Sequence, residues 1–367
     1  MSNNDEGRLD RLSGMLKRRG FILPAFEIHG GSKGLYDFGP NGGRLRNKVN
    51  QLWINHWISL GNIVEISCPT ITPYAVLEAS GHVGEFTDFM TQCLDCQEAS
   101  RADTLLESYH SNPDSLSLDE LQDLLDESSP ACPACGAKNW GGITAQNLMF
   151  NTKIGAGISG KEGFLRPETA QGMFTSFNSL YRHFREKLPF GAVQVGKGYR
   201  NEISPRQGPL RMREFTQMEV EHFFLPGDEP ILPSELKDTK ITLLPADEKE
   251  SQTTVGKALE SNIVNSSLVA THLARAQNFL ISIGVPSEKL RFRQHGSNEM
   301  AHYSSDCWDG EINTSLGWVE IVGVAHRGSY DLSAHGKASS KEFRVAVPGT
   351  EKEMDVWKPD IGKLGKE

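Results

Sequence analysis

Between Gln194 and Phe224 the chain reads QVGKGYRNEISPRQGPLRMREFTQMEVEHFF, and its side chains sort by face. Two strands joined by a long basic connection are expected, because alternate residues of a strand point the same way. Arg200 and Glu202 then share one face of the first strand, and Arg213, Phe215, Gln217, Glu219 and Glu221 share one face of the second. A purely structural hairpin would carry an apolar face and a tight Asn- or Gly-rich turn. This one carries charges and a single aromatic, and its connection from Ile203 to Met212 holds Arg206, Arg211 and two prolines. Loops of that length and charge serve ligands more often than folds. Arginine offers phosphate oxygens a planar fork, phenylalanine offers a base a stacking surface, and carboxylates accept from amines. The set suits a nucleotide, although an isolated Arg200–Glu202 pair would read as a surface salt bridge.

Two further constellations carry chemistry. Cys93-x-x-Cys96 and Cys132-x-x-Cys135 have the spacing of a zinc ribbon or knuckle, each turn aiming two thiolates at one tetrahedral ion. With four positions filled such an ion is structural. The alternative is four reduced thiols on loops; a redox role lacks the thioredoxin-like strand-turn-helix around either pair. Cys68 and Cys307 sit in apolar or aromatic surroundings and read as core fillers. Glu320 stands in WVEIVGV, a carboxylate on an otherwise apolar strand, and burying it unpaired is costly, so a partner is expected.

The elements that must position these residues follow from period and punctuation. Leu9 to Arg19 predicts a helix ended by Gly20, and Phe21 to Gly43 a glycine-rich stretch of one or two strands with turns. Arg44 to Leu60 predicts a helix with Leu45, Val49, Leu52, Trp53, Trp57 and Leu60 on one face, followed by a strand from Ile63 to Ser67. Ser111 to Ser129 is acidic and serine-rich with spaced leucines, a short surface helix. A helix from near Thr169 to Leu188 precedes the hairpin. Pro230 to Gln252 reads as polar and irregular, Lys257 to Ile283 as one helix, and Arg291 to His295 and Gly317 to Val324 as strands. The mixture lacks the strand-helix alternation of a parallel sheet, and neither GxGxxG after a strand nor GxxxxGK[ST] occurs. An α+β fold is expected.

In bulk, 367 residues suffice for two or three domains and a large core. A net charge of −9, from 38 basic and 47 acidic residues, argues against a generic polyanion-binding surface, while leaving room for a local basic stripe. No apolar run approaches a membrane span, and the polar N-terminus MSNNDEGRLD lacks a signal-peptide core, so a cytoplasmic protein is expected.

Four segments resemble the dimeric-type glycyl-tRNA synthetases, a branch of the class II aminoacyl-tRNA synthetases. They are FEIHGGSKGLYDFGPNG (Phe26 to Gly42), FLRPETAQGMF (Phe164 to Phe174), YRNEISPRQGPLRMREFTQMEVEHFF, which looks like motif 2, and NEMAHYSSDCWDGEINTSLGWVEIVG (Asn298 to Gly323). The resemblance implies the class II antiparallel-sheet catalytic domain with a zinc-ribbon-like insertion and a helical insertion. It divides the chain into core with motif 1 (1–92), the CxxC/CxxC insertion (93–140), core with motif 2 (141–226), the helical insertion (227–290), core continuation (291–345) and a truncated C-terminal segment (346–367).

The implied activity joins the glycine carboxylate to the α-phosphate of ATP, then passes glycine to tRNA(Gly). Catalysis of this kind is positioning and charge neutralisation, with no side-chain nucleophile. By similarity Arg200 holds the α-phosphate and Glu202 reads the adenine amino group, with Asn201 between them. Leu210, Arg211, Met212, Arg213 and Glu214 belong to the loop over the phosphates, and Phe215 stacks on adenine. Glu168 and Glu219 match the family's ammonium-binding glutamates, Arg101 an arginine near the substrate carboxylate, and Thr216, Gln217 and Met218 the pocket strand between. Glu221 is a helper or a salt-bridged strand residue. A magnesium ion bridging the ATP phosphates is the implied partner of Glu320, a buried arginine the plainer one; Ile321 contributes backbone contact only. Arg327 belongs to the ATP site, and His326 stands where the family usually has aspartate, leaving open what orients Arg327.

The helix from Arg44 resembles motif 1 and implies a homodimer. No segment resembles motif 3 or the anticodon-binding domain, and the chain ends at VWKPDIGKLGKE, similar to family sequence upstream of motif 3. The expectation is an N-terminal catalytic part with little exchange activity alone, completed by a second polypeptide. A catalytically incomplete paralogue that binds nucleotide or tRNA in regulation is the alternative, and a same-class enzyme for another amino acid is disfavoured by Glu168 and Glu219 together.

Overall fold

The computed structural model describes residues 3–203, 205, 208–296 and 304–346. Arg206, the 298–303 part of the fourth matching segment and the tail from 347 lie outside the described residues. The expected hairpin is formed by Phe190–Tyr199 and Glu214–Phe223, antiparallel in unbroken register from Phe190↔Phe223 to Tyr199↔Glu214. On one face Val193, Val195, Met218 and Val220 pack into the main core with Trp53 and Trp57. The other face is divided along its length. Phe190, Ala192 and Phe223 join a second core with Met173, Phe174 and Phe177, while Glu221, Glu219, Gln217 and Phe215 continue outward from it. Opposite those last residues stand Gly196 and Gly198. A Cβ on Gly196 would lie 2.1 Å from the Arg166 guanidinium, and one on Gly198 would lie 2.9 Å from the Phe215 ring. These glycines are therefore room for neighbouring side chains rather than turn residues.

Ile63–Glu65 pairs in parallel with the first hairpin strand, giving a three-stranded sheet. A five-stranded sheet runs in the order Ser251–Thr254, Lys240–Leu244, Leu290–Gln294, Asp306–Thr314 and Gly317–His326, antiparallel except for the Lys240–Leu244 pairing with Leu290–Gln294. Leu243, Phe292 and Trp308 cover one face of it and are fully buried in the main core. On the opposite face Arg291, Arg293, Asp309 and Glu311 form a ladder of ion pairs at 2.7–3.3 Å. Between Gly310 and Glu311 the last hairpin slips register. Gly310 faces Val322 and Glu311 faces Glu320, so Ile321 is an extra residue, a bulge. Val322 and Val324 pack on the core, whereas Glu320 turns to the ion-pair face.

Several helical expectations need correction. The Pro40–Ile58 helix buries Trp53, Ile54 and Trp57, but Leu45 and Leu52, expected on that face, are exposed. The helix expected from Thr169 is two short helices, Ala170–Thr175 and Phe177–His183, meeting at Ser176. Lys257 to Ile283 is likewise two helices, Val255–Glu260 and Ser267–Ser282. Asn262 adopts a left-handed φ of 56° between them, and the Ser266 hydroxyl accepts from the Val269 N–H to start the second. The segment before them is not irregular throughout. It supplies Lys240–Leu244 and Ser251–Thr254 to the large sheet, and the Ser267–Ser282 helix packs in the main core.

The surface helix is Leu118–Ser128, begun by a reciprocal capping box between Ser117 and Glu120. Its Leu121 and Leu125 close a small separate core with Ala102, Leu106 and Ile143. No helix among the described residues is long and apolar enough to cross a membrane.

Candidate active site

The free edges of the two sheets, Glu214–Phe223 and Gly317–His326, flank a cavity of about 1880 Å3. It gathers Glu168, Arg200, Thr216, Gln217, Met218, Glu219, Glu320, Ile321 and Arg327 from the residues expected at the site. The 31 residues of sequence from Gln194 to Phe224 thus meet side chains more than a hundred positions away.

Arg200 begins where the first hairpin strand ends, its backbone N–H donating to Arg213 and its Nε to the Pro167 carbonyl at 3.3 Å. Its guanidinium lies between two rings, 5.3 Å from the Phe86 centroid and 5.5 Å from that of Phe215. A cation held by aromatic faces keeps its charge without spending its hydrogen-bond fork on a carboxylate. Phe86 was not singled out from the sequence, since nothing local ties it to residues 200 or 215.

Deeper in, acids outnumber bases. Glu219 accepts from the Thr169 N–H at 2.9 Å and from its hydroxyl, and Glu168 accepts from Gln171 Nε2 at 2.8 Å. Arg327 donates to both oxygens of Asp331, at 2.7 and 2.9 Å. Asp331, four residues on, therefore supplies the orienting acid that position 326 lacks, while His326 Nδ1 lies 3.0 Å from the Ser305 hydroxyl. Gln171 also reaches Asp331 at 3.3 Å and is held through Oε1 by His335 at 2.8 Å. Burial disfavours the Arg327 charge, but Asp331 and the nearby Glu221 and Glu168 outweigh it and raise its pKa. Burial alone would raise Glu168, yet His82 and then Arg327 hold it down to about 2. Glu219 goes the other way, pushed up to about 7 by burial and by the charge of Glu168. Burial pushes Glu221 up to about 8 against the pull of Arg327. The pocket carries a surplus of anionic groups that a bound cation would relieve.

At the cavity's other end, Glu320 is raised by burial and by Asp309, with His295, Arg200 and Arg293 opposing. Asp309 is bound by His295 at 2.6 Å and Arg293 at 3.1 Å. Glu320 thus shares the ion-pair face with Asp309, whose charge adds to the cost of ionising it.

Other expected residues stand apart from the cavity wall. Glu202 is buried and ion-paired with Arg211 Nε at 3.0 Å. Arg213 donates to the carbonyls of Lys33 at 2.7 Å and Glu202 at 3.0 Å, tying the loop to the glycine-rich N-terminal turn. Glu214 pairs with Lys197 at 2.9 Å, on the sheet face shared with Met218 and Val220 but beyond the core. Asn201 donates its N–H to Leu148, and Leu210 and Met212 lie in the loop, Leu210 exposed. Arg101 departs most from expectation. It is engaged by Asp88 at 3.2 Å and by Asp103 at 3.0 Å, within the cysteine insertion rather than in the cavity wall.

The four cysteines converge. Their sulfurs lie within 4.8 Å of one another, with Cys93–Cys135 and Cys96–Cys132 at 3.7 Å. Thiolates about 2.3 Å from a tetrahedral zinc sit about 3.8 Å apart, whereas a disulfide needs about 2.05 Å. The cluster has the geometry of a metal site.

No family model matches the chain. It is 43% identical to the glycine–tRNA ligase of Methanothrix thermoacetophila over 98% of its own length and 63% of that protein's. It is 43% identical to the glycine–tRNA ligase of Methanocaldococcus jannaschii, with 97% and 65% covered, and 44% identical to that of Methanothermobacter thermautotrophicus, again with 97% and 65%. The chain thus spans a little under two thirds of these relatives. Among solved structures, Giardia lamblia prolyl-tRNA synthetase in complex with prolyl-adenylate superposes with a TM-score of 0.51 at 12% identity, over 90% of this chain and 47% of that one. Over nearly its whole length, then, the chain is similar to a little under two thirds of the length of these glycine–tRNA ligases, and its fold is like that of the prolyl-tRNA synthetase, a class II aminoacyl-tRNA synthetase.

Proposed function

We propose that this chain carries the adenylate-forming site of a glycine–tRNA ligase: it binds ATP and glycine, promotes attack of the glycine carboxylate on the α-phosphate, and hands glycine to tRNA(Gly). One observation carries the reading. An arginine clamped between aromatic rings and an acid-rich pocket open into the same cavity, the two charge patterns that a phosphate and an ammonium require. Arg200 takes the α-phosphate, with Phe215 beside the adenine. Glu168 and Glu219 take the ammonium, and Glu221 adds to the field that draws it in. Since glycine has no side chain to grip, the pocket selects by its carboxylates and by refusing bulk; steric exclusion discriminates well where a missing methylene does not. Glu320 would hold a magnesium ion, which when bound neutralises phosphate charge. Asn201, Glu202 and the loop residues Leu210 to Glu214 close over the nucleotide. Arg101 reaches the substrate carboxylate only by exchanging its aspartate partners, a role the present geometry supports least.

Equilibrium binding tests this directly. 5′-O-(N-glycylsulfamoyl)adenosine, a stable mimic of glycyl-adenylate, is expected to bind at least about tenfold tighter than its alanyl counterpart, the order that one added methyl exerts in a closed pocket. Equal affinity would refute the glycine assignment.

The relatives' remaining length implies further parts, expected to include motif 3 and anticodon binding, acting with this region in the same or a second polypeptide. Exposed Leu45 and Leu52, seven residues apart on the Pro40–Ile58 helix, form an apolar stripe that fits a homodimer contact. For the cysteine cluster we read zinc, because four thiolates in a tetrahedron select it. One zinc per chain should co-purify, and Cys132→Ser should release it and make residues 93–140 protease-sensitive while leaving the main core folded. Elemental analysis finding a metal-free yet protease-resistant wild-type chain would sink this assignment.

A further inference from the structure

His82 lies in none of the segments that mark the nucleotide or amino-acid site, yet it is buried against one of the pocket's glutamates. Its Nε2 stands 3.5 Å from Glu168 Oε2, and its Nδ1 stands 2.8 Å from the Ser80 hydroxyl. Only about a tenth of either side chain, His82 or Glu168, is exposed. The segment that carries His82 is itself fixed. Gly81 turns at φ +85°, where a side chain would be strained, and Asn147 Nδ2 donates to the carbonyls of His82 and Val83 at 3.4 and 3.1 Å. Four residues on, the same segment delivers Phe86 to Arg200.

Nε2 is the ring nitrogen that faces the glutamate, and Ser80 engages the other one. When the Ser80 hydroxyl donates to Nδ1, the neutral ring carries its proton on Nε2. In that tautomer Nε2, 3.5 Å from Glu168 Oε2, is the donor. Gln171 donates to the other oxygen at 2.8 Å, so each oxygen of Glu168 has a side-chain neighbour.

We propose that His82 is a positioning residue for amino-acid recognition: held by Ser80, it orients Glu168 so that the carboxylate meets the substrate ammonium. A carboxylate on a stem of three rotatable bonds has several rotamers, and fixing one of them removes an ordering cost from binding. The proposal rests on the reading of Glu168 as an ammonium ligand, and the test separates the two. Two ligands are compared by calorimetry on the whole chain, 5′-O-(N-glycylsulfamoyl)adenosine and 5′-O-sulfamoyladenosine, which lacks the glycyl group. For the wild type the glycyl compound should bind more tightly; no preference would refute the ammonium pocket and this role with it.

Where the wild type does discriminate, His82→Ala should weaken the glycyl compound about 10–100-fold, the loss expected for a hydrogen bond to a charged group, and leave the other within about twofold. His82→Gln, whose amide can donate to Glu168 and accept from Ser80, should restore most of the loss. Equal weakening of both ligands, or of neither, would overturn the proposal. Should His82→Ala not fold, Ser80→Ala decides. It frees the ring without touching Glu168 and should weaken the glycyl compound selectively; an unchanged preference would equally overturn the idea.

Discussion

Arg200→Ala is expected to be the most damaging single change in the chain. It removes a cation that lines the cavity, and it deprives two aromatic rings, Phe86 and Phe215, of the guanidinium they share. Adenylate formation has no covalent help from the protein, so stabilising charge on the α-phosphate is most of what the site can do. Loss of one preorganised donor of this kind costs about 10²–10³ in rate. Arg200→Lys should fall between. It keeps a charge but loses the bidentate geometry and the flat face that lies between the rings. Calorimetry with ATP on this chain, and glycine-dependent exchange of pyrophosphate into ATP by the chain supplied with the relatives' remaining parts, measure the two effects. Unaltered nucleotide affinity and exchange in Arg200→Ala would show that the phosphate is held elsewhere.

The second large effect concerns glycine and pH. Glu219→Gln keeps the shape of the side chain and its acceptor for Thr169, but removes charge opposite the ammonium. It should weaken glycine by about 10–100-fold, the scale of a charge-assisted bond, while ATP affinity changes little. The wild type should also bind glycine more weakly in acid. Glu219 is raised to about 7 and Glu221 to about 8, so below neutral pH the free pocket is protonated and the ammonium must displace a proton. Affinity then rises with pH through this window, by at most about tenfold per unit for each proton displaced, and levels off above it. Glu168, held near 2, stays ionised throughout and sets no slope there. In Glu219→Gln the slope should flatten as one titrating group is lost. A glycine affinity that is flat from pH 6 to 8.5, or that falls as pH rises, would contradict the assignment.

Much of this site was legible because its central unit is local. The hairpin announces itself by alternation, and the paired CxxC turns by spacing; both need only a few consecutive residues to be read. What escaped is long-range or breaks the period. His82, Phe86, Gln171, Asp331 and His335 hold the functional side chains in place, yet each belongs to a segment with its own plausible core or surface reading. Their roles exist only once the segments meet. Asp331 shows the limit well: the acid missing at position 326 is supplied one helical turn later, so Arg327 keeps a carboxylate partner although the local pattern is lost.

The helical misreadings have a similar cause. Apolar spacing runs on past Asn262 and Ser266, and it takes the left-handed turn and the serine cap to divide one helix into two. On the Pro40–Ile58 helix the stripe is wider than the core it faces, so Trp53 and Trp57 bury while Leu45 and Leu52 are left outside. Periodicity reports that a face is apolar; it does not say what covers it.

The bulge at Ile321 has a consequence for how the chain finds its final pairing. By strict alternation Glu320, Val322 and Val324 would point the same way, and the acid would enter the core beside Trp308 and Phe292. With one residue set aside, the outer end of the hairpin is rotated half a period against the inner end. A copy of this hairpin zipped without the slip would thrust a bare carboxylate among closely packed rings, and the remainder of the core could not close on it. Pairing without the slip is thus disfavoured by the cost of burying the Glu320 carboxylate, a cost that arises in the fold before any ligand is considered.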